Sequence, residues 1–536
     1  MRPIRLVPMI IGVLAVSPVA AQQAAPDSAP RNWHLLDMQR DGFPGISAER
    51  AYSELLAGRQ PRRQVVVAII DSGVDTAHVD LHGVLWTNPR EVAGNGRDDD
   101  NNGFVDDLHG WNFIGGHDGR QVDQDNYEVT RLYRRLRPRY ENASGDTLTG
   151  AAKEEFALYQ RVLADYTKNR GEAMQMLQQI RQIQQVYDQS VALVRPALGG
   201  QELSEASVRA LTSVRSDVNR AREILLQLYA NGIDGKLIAD EMETVRSRVD
   251  FGYNVDFDPR EIVGDNYVDV HERGYGNLYV YGPHSDHGTH VAGIVAAMRG
   301  NGLGVDGIAS GVRLMLLRTV PDGDERDKDV ANAIRYAADN GAQVINMSFG
   351  KGYSPEKAAV DEAVRYAESR GVLMVHAAGN DAADLAEEPS FPVRQYAAGG
   401  EPSLWLEVGA SGWQAGHLAA PFSNWGDQEV DVFAPGVDVL STIPEGEYDR
   451  NSGTSMAAPV VTGLAALLMA YYPDLTAAQV KQIIMESAVR YPQAVARPGS
   501  ETEQVDFASL SRTGGVVNAY AAVQMAERMS RGQATR

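Results

Sequence analysis

The clearest pattern in the sequence is a set of short, uninterrupted runs of apolar residues. The run at 65–70 is β-branched and lacks the alternation of a half-exposed strand, which is typical of a parallel strand buried on both faces. Further short runs lie at 314–317, 344–347, 372–375 and 430–433, of which the second contains Asn346 and the last contains Asp431. Helical stretches such as 330–338 and 358–368 lie between them. This alternation predicts an α/β fold, in which helices cover both faces of a mostly parallel sheet.

The region 118–260 follows a different pattern. It is rich in Gln, Arg and Glu, and its apolar residues recur at steps of three and four, which is the spacing of amphipathic helices. One such stretch is 177–194, a second is 208–228, which includes Val214, and a break at 196–200 separates them. We predict an α-helical hairpin inserted into the α/β domain, with these stripes as its own packing faces. A groove for a substrate or a partner is the alternative interpretation.

Three segments carry side chains suited to nucleophilic catalysis. Asp71 follows the first apolar run, so it lies at the carboxyl end of a parallel strand, where α/β sheets commonly build their sites. His287 begins an Ala-rich helix, and histidine readily takes up a proton near neutral pH. Ser455 opens an apolar helix, whose N-terminal dipole stabilises negative charge. Each is weak evidence by itself, but their order along the chain is one in which serine triads are built.

Five segments resemble the signature segments of the subtilisin-like (S8) serine peptidases. Three surround the candidate residues: Asp-Ser-Gly-Val-Asp at 71–75, His-Gly-Thr-His-Val-Ala-Gly at 287–293 and Gly-Thr-Ser-Met-Ala-Ala-Pro at 453–459. The other two are Ala-Ala-Gly-Asn at 377–380, similar to the oxyanion loop of the family, and Asn-Met-Ser-Phe-Gly at 346–350, similar to its substrate-binding strand. The resemblance covers roughly residues 60–116 and 284–525. On these segments the chain is identified as a member of the family.

The resemblance implies a fold, an activity and a role for each of these residues. It implies the subtilisin-like three-layer α/β fold and a serine endopeptidase that hydrolyses peptide bonds through an acyl-enzyme. Ser455 would be the nucleophile, His287 the general base, and Asp71 the group that orients the histidine. Asn380 would bind the oxyanion together with the Ser455 N–H, and loss of such a donor typically costs about 10²–10³ in kcat. An extended substrate backbone would pair with Ser348, Phe349 and Gly350.

An acidic loop predicts a calcium site. The segment from 98 onward places oxygen-bearing side chains at positions 1, 3, 5 and 9 and a glycine at position 6, which is the spacing of a calcium loop. The four residues are Asp98, Asp100, Asn102 and Asp106. His109 stands where an EF-hand has its bidentate glutamate, so EF-hand binding is not expected, and a plain solvated turn is the alternative. The resemblance adds a second calcium position at Asp80 and Asn301.

Composition narrows the function further. The chain has 536 residues with 71 acidic and 50 basic side chains, a formal charge of −21, which disfavours a protein that tracks nucleic-acid phosphates. It has no cysteine, which excludes disulfides, thiolate-bound zinc and a cysteine nucleophile. The resemblance implies protein or peptide substrates as the partners, and the acidic charge argues against a nucleic-acid partner.

The N-terminus has the pattern of an export signal. Arg2 and Arg5 precede an apolar stretch at 6–16 that is too short to span a bilayer. Val19 and Ala21 supply small residues at the −3 and −1 positions of a cleavage site. We therefore predict a signal peptide at 1–21 and a secreted or periplasmic mature protein, with no stable membrane anchor after cleavage.

The remaining boundaries follow from these segments. We expect a leader at 22–60, a catalytic domain in two parts at 61–117 and 261–528, the helical insertion at 118–260, and a C-terminal tail at 529–536. The leader is shorter than the inhibitory prodomain usual in the resembled family. The alternative function is a catalytically silent or occluded protein of the same fold that binds partners through the insertion. The intact triad and Asn380 favour the enzyme.

Overall fold

The computed structural model describes residues 28–500 and 502–534, so the predicted signal peptide at 1–21 lies outside the described residues. The described chain forms two compact units. The first contains the residues up to 121, then 262–320, and the chain from 325 onward. The second contains 122–261 and 321–324.

The described strands all belong to the first unit. In chain order they are β1 (Val65–Asp71), β2 (Gly110–Asn112), β3 (Val312–Arg318), β4 (Val344–Met347), β5 (Leu373–Ala377), β6 (Trp405–Ser411), β7 (Val432–Pro435), β8 (Val439–Ile443), β9 (Glu447–Asn451), β10 (Val489–Arg490), β11 (Ala494–Ala496), β12 (Gln504–Asp506) and β13 (Gly515–Val516). Within the described residues, one sheet holds nine of them in the order β10-β13-β7-β6-β5-β4-β1-β3-β2. The short strands β8 and β9 form a hairpin, and β11 pairs with β12.

The large sheet is parallel from β2 to β13, and only the edge strand β10 pairs antiparallel. Strand β1 lies between β3 and β4 and is buried along almost its whole length. The apolar runs without alternation therefore form the interior strands of a sheet covered on both faces. The predicted subtilisin-like α/β class, with a mostly parallel central sheet, is confirmed.

The described helices divide between the two units. In chain order they are α1 (Met38–Asp41), α2 (Ala48–Arg50), α3 (Glu128–Tyr140), α4 (Ala151–Val194), α5 (Glu205–Ala210), α6 (Ser216–Ala230), α7 (Gly235–Ser247), α8 (Asp286–Ala296), α9 (Asp327–Asp339), α10 (Lys357–Ser369), α11 (Thr454–Tyr471), α12 (Ala477–Glu486) and α13 (Ala519–Ala534). Among the described residues, α11 is the one helix long and apolar enough to cross a membrane. Because 94% of that helix is buried against the sheet and its neighbours, it is the central core helix of the first unit.

Several residues of the segment predicted as a leader at 22–60 pack into the core of the first unit. Trp33 is fully buried, and its indole N–H donates to the Val437 carbonyl at 3.0 Å. Ile46 is also fully buried, and its carbonyl accepts the Ala519 N–H at 2.6 Å. Burial of one large aromatic side chain and several aliphatic ones stabilises the native state by several kcal/mol, at roughly 1.5–3 kcal/mol per large side chain. The described part of this segment is therefore integral to the unit that carries β1.

The second unit is helical, but it is more divided than a hairpin. Its long helix α4 has 44 residues and packs against α3, α6 and α7. The stretch 208–228 does not form one helix, because α5 ends at Ala210, α6 begins at Ser216, and Val214 between them is exposed. The Ser213 hydroxyl accepts the Arg215 N–H at 3.1 Å, a local bond of the kind that competes with helical hydrogen bonding.

Candidate active site

The five predicted catalytic and substrate-binding segments meet at one edge of the large sheet. Asp71 is the last residue of β1, and the segment from Ser348 follows β4 directly. Asn380 lies three residues beyond the end of β5. His287 and Ser455 are the second residues of α8 and α11. The carboxyl ends of parallel strands and the N-termini of two helices thus supply one site.

The closest contact in the site joins Asp71 and His287. The ring Nδ1–H donates to Asp71 Oδ1 at 2.7 Å, and the same oxygen accepts the Ser72 N–H at 2.7 Å. Asp71 is buried. The close approach of α8 requires the glycine that follows the histidine, because a Cβ atom at Gly288 would come within 2.1 Å of the Gly73 carbonyl oxygen.

The electrostatics of this pair raise the pKa of His287. Burial of the His287 ring lowers its pKa, but the negative charge of Asp71 and its hydrogen bond outweigh that effect, so the pKa lies above its ordinary value. The side chain is 39% exposed. His287 can therefore accept a proton from a group in the cleft while Asp71 stabilises the cation that forms.

The Ser455 hydroxyl lies beside the substrate-binding segment. It donates to the Ser348 carbonyl at 3.2 Å, and the Ser348 hydroxyl in turn donates to the Ser455 carbonyl at 2.9 Å. Both serines and His287 lie in the described part of the chain, and a hydrogen bond from Ser455 to His287 is not formed there. Such a bond commonly tightens only when substrate is bound.

The Asn380 amide has a fixed orientation. Its Oδ1 accepts the Thr454 N–H at 2.8 Å and the Thr454 hydroxyl at 3.0 Å. Because a backbone N–H can only donate, this side of the amide must be the oxygen. The Nδ2 hydrogens are left on the opposite side of an exposed residue, beside Gly453. They are free to donate to an anion in the cleft.

The segment 348–350 presents backbone to the cleft. Ser348 and Phe349 are buried, whereas Gly350 is exposed. The next residue, Lys351, directs its amine away from the cleft to Asp327 Oδ1 at 2.8 Å and the Glu325 carbonyl at 2.8 Å. The exposed part of the segment is therefore main chain, which can pair with a substrate of any sequence.

Comparison with known families decides the identity of this arrangement. The model of the subtilase family of S8 peptidases matches residues 62–515. The chain belongs to the subtilase family. The match runs from before β1 to the first residue of β13 and includes every candidate site residue described above.

Several curated proteins are similar to this subtilase over part of their length. The thermophilic serine proteinase of Bacillus sp. (strain AK1) is 39% identical over 241 residues, which is 45% of this chain and 54% of that protein. Subtilisin E of Bacillus subtilis (strain 168) is 38% identical over 208 residues, 38% of this chain and 51% of that protein. The cell wall-associated protease of the same strain is 32% identical over 270 residues, 50% and 26% respectively. The chain thus spans about half the length of the first curated relatives it matches.

Two features of this subtilase were not found from the sequence. Ser390 lies where the substrate-binding segment meets the oxyanion loop, since a Cβ atom at Gly350 would lie 2.5 Å from its Oγ and one at Gly379 would lie 3.4 Å from it. His376 and Glu407 form a buried pair behind Phe349. For His376, the sequence contains one signal, the string His-Ala-Ala-Gly-Asn at 376–380. It places a histidine on the strand that leads to Asn380.

The acidic loop brings together two of its four predicted calcium ligands and adds a third carboxylate. One oxygen each from Glu91, Asp98 and Asp100 lies within 4.8 Å of the others. Burial raises the pKa of Glu91, and its Oε2 is buried without a hydrogen-bond partner among the described residues. Asp98 and Asp100 also accept main-chain N–H groups of the loop, and Arg90 pairs with Asp100 at 3.0 Å. The feature of this group that fits a hard cation is therefore the unpartnered buried oxygen of Glu91 beside two further carboxylates.

The other two predicted ligands in the loop serve the local backbone. Asp106 accepts the N–H groups of Asn95 at 3.2 Å and Gly96 at 2.8 Å. Asn102 Oδ1 accepts the Phe104 N–H at 2.8 Å. These oxygens therefore hold the turn, because the nearest donors are main-chain groups of the same loop.

The second predicted calcium position has a different geometry. Asp80 is buried, and its carboxylate accepts the Asn301 amide N–H at 2.5 Å and the Tyr448 hydroxyl at 3.0 Å. Asn301 Oδ1 accepts the Leu303 N–H at 2.8 Å. Asn301 thus offers its donor side to Asp80, which satisfies the carboxylate without a cation. Calcium at this position stays a prediction from the resemblance.

Proposed function

We propose that this subtilase is an extracytoplasmic serine endopeptidase that hydrolyses protein or peptide substrates through an acyl-enzyme. The observation that carries the proposal is the 2.7 Å hydrogen bond from His287 to the buried Asp71, at the sheet edge that also holds Ser455. An oriented imidazole beside a serine at a helix N-terminus is the arrangement that nucleophilic catalysis requires.

In the acylation step, Ser455 Oγ attacks the scissile carbonyl carbon while its proton moves to His287 Nε2. The Asp71 hydrogen bond keeps the ring proton on Nδ1, so Nε2 is the free base, and the carboxylate stabilises the imidazolium. The negative oxygen of the tetrahedral intermediate lies near the Asn380 Nδ2 donor and the N-terminus of α11. Donors fixed in advance at that oxygen are the largest electrostatic contribution to such a reaction.

The second half of the cycle reverses these proton transfers. His287 gives its proton to the leaving amine, and a water then attacks the acyl-enzyme with His287 again as base. Throughout, Ser348 and Gly350 provide backbone groups along which an extended substrate aligns. Recognition of this kind depends on the substrate main chain, so it suits proteins and peptides as a class.

The proposed location rests on the N-terminal sequence. The basic start, the short apolar stretch and the small residues before position 22 form the pattern of an exported protein. A stable membrane anchor and a nucleic-acid partner are not part of the proposal. The absence of cysteine is consistent with any compartment.

Active-site labelling tests the proposed function. A fluorophosphonate probe is expected to react with the native protein at Ser455, because only an activated serine reacts rapidly with such an electrophile. The label should disappear in Ser455→Ala and on heat denaturation, and remain in Ser53→Ala, which alters an exposed serine of the same unit. A folded protein that takes up no label would favour the alternative, an occluded binding protein, and overturn the proposal.

We further propose that a structural calcium ion binds at Glu91, Asp98 and Asp100. The convergence of their oxygens within 4.8 Å supports this set, and calcium prefers several oxygen ligands of this type. The ion would offset the mutual repulsion of the carboxylates and hold the loop that leads into β2. In a protein without disulfides, such an ion cross-links a loop that packing alone leaves weakly held.

Removal of calcium is expected to lower the melting temperature. An ion that binds only the native state stabilises it by about 2.7 kcal/mol at a concentration 100 times its Kd, so a chelator should lower the transition and added calcium should restore it. Differential scanning calorimetry of wild type, Asp98→Asn and the control Asp427→Asn, which changes an exposed aspartate outside both predicted calcium positions, measures the effect. The calcium response should vanish only in Asp98→Asn, and an unchanged wild-type melting point would exclude the site.

A further inference from the structure

A buried polar pair lies directly behind the substrate-binding segment. His376 is on β5 and Glu407 is its cross-strand partner on β6. His376 is fully buried and Glu407 is nearly so. His376 Nδ1 lies 2.7 Å from Glu407 Oε1, and His376 Nε2 lies 2.9 Å from the Phe349 carbonyl oxygen. The pair thus connects the interior of the sheet to the middle residue of the segment 348–350.

The protons of the pair follow from its partners. The Phe349 carbonyl can only accept, so His376 Nε2 must carry a hydrogen. The contact between Nδ1 and Glu407 Oε1 needs one proton, held by either atom, and Glu407 Oε2 already accepts the Trp405 indole N–H at 2.8 Å. An imidazolium with a carboxylate and an imidazole with a carboxylic acid both satisfy this count. In either state the hydrogen bond to Phe349 is retained.

That hydrogen bond fixes which side of the segment faces the cleft. The Ser348 carbonyl accepts the Ser455 hydroxyl, whereas the next carbonyl, that of Phe349, accepts from His376. Successive carbonyls of an extended chain point in opposite directions. Because His376 holds the Phe349 peptide inward, the backbone groups of Ser348 and Gly350 are turned outward.

Other charged groups around the pair restrain Glu407. Its backbone N–H donates to Asp431 Oδ2 at 2.9 Å, and Asp431 forms a short ion pair with Arg394. Glu401 and Lys481 interact electrostatically with Arg394. The ionisable residues near His376 therefore form a network that is anchored on β6 and on the residue before β7, and Phe349 is the point at which it reaches the cleft.

We propose that His376 and Glu407 are a positioning pair for substrate binding in this subtilase. Neither residue touches Ser455. Their role is to hold the Phe349 peptide so that an extended substrate finds the backbone of Ser348 and Gly350 already oriented. The inference rests on the proposed peptidase function. Packing alone does not require a polar pair here, because apolar residues could fill the same interior positions at a lower desolvation cost.

Kinetics on extended peptides test the pair. His376→Leu removes the hydrogen bond to Phe349 and is expected to raise KM by about tenfold for a substrate that spans several residues before the scissile bond. Glu407→Leu should raise KM by less, because His376 keeps its Nε2–H and loses only the contact that orients its ring. Because the effect is on binding, kcat should stay close to wild type. The rate at which a sulfonyl fluoride without a peptide backbone inactivates Ser455 should not change.

Two conservative variants should restore binding. In His376→Gln the side-chain amide can donate to the Phe349 carbonyl, and in Glu407→Gln the amide can donate to His376 Nδ1 while its oxygen accepts from Trp405. Both should keep the wild-type KM. A purely structural role would instead lower the melting temperature in all four variants and leave KM unchanged in those that fold.

The outcomes separate the two proposals. A wild-type KM in folded His376→Leu would overturn the positioning role. Where a leucine variant does not fold, His376→Asn carries the same test, because its shorter amide can contact Glu407 without reaching Phe349. If the wild type neither cleaves peptides nor reacts with the sulfonyl fluoride, the proposed function fails and the positioning role fails with it.

Discussion

Replacing Ser455 with alanine is expected to lower kcat by about 10⁶, because the acyl-enzyme can no longer form. His287→Ala should cost nearly as much, since a serine hydroxyl without a base is a poor nucleophile. Residual activity should come only from the oxyanion donors and substrate binding. Hydrolysis of a peptide p-nitroanilide at saturating substrate measures the loss.

The double variant Ser455→Ala/His287→Ala tests whether the two residues act together. Because Ser455 and His287 act as one unit, removing both should cost little more than removing either. Ser452→Ala changes a neighbouring exposed serine and should retain the wild-type kcat. Losses of the two single variants that multiply in the double variant would show that the residues act independently, contrary to the geometry at the sheet edge.

Replacing Asp71 with asparagine is expected to lower kcat by about 10⁴ and to move the acid limb of the pH profile to lower pH. The loss of activity arises because asparagine no longer holds the His287 ring in the tautomer with a free Nε2. The pH shift has a separate cause. In the wild type, Asp71 raises the pKa of His287 above its ordinary value despite the burial of the ring.

The direction in which the acid limb moves follows from the protonation state in which His287 acts. The neutral ring is the base, so activity falls as the pH drops through the His287 pKa. Removing the negative charge lowers that pKa, and the variant should keep its remaining activity to lower pH. The pH dependence of kcat/KM reports the free enzyme, with Asp75→Asn as a matched control from the same loop. An unmoved acid limb in Asp71→Asn would contradict the pairing with His287.

Local sequence was sufficient for the interior strands β1, β3, β4, β5 and β7, and the family resemblance identified the catalytic segments. The run that became β1 needed no tertiary information, since an uninterrupted β-branched stretch of that length is buried wherever it lies. The resemblance predicted that Asp71 and His287, which are 216 positions apart in the sequence, belong to one site, and the structure places them in contact. Motifs of this kind are predictable because each fixes a turn, a helix start and a reactive side chain within a few residues.

Contacts that depend on register were not predictable. Glu407 faces His376 only because β5 and β6 pair in one particular register, and a shift by one residue would turn the side chain to the other face. Glu91 joins Asp98 and Asp100 through the path of a loop, for which spacing gives no guide. The break before Ser216 depends on a serine hydroxyl bond that helical periodicity does not reveal.

The early segment around Trp33 and Ile46 has a consequence for synthesis of the chain. Ile46 pairs with Ala519, so two stretches separated by most of the sequence close the same core. Long-range contacts of this kind slow folding, because closing the long loop between them costs entropy before the contact can stabilise the fold. The first unit cannot finish folding until Ala519 has left the ribosome. The core around α11 therefore stays incomplete for as long as the residues of α13 are still being synthesised.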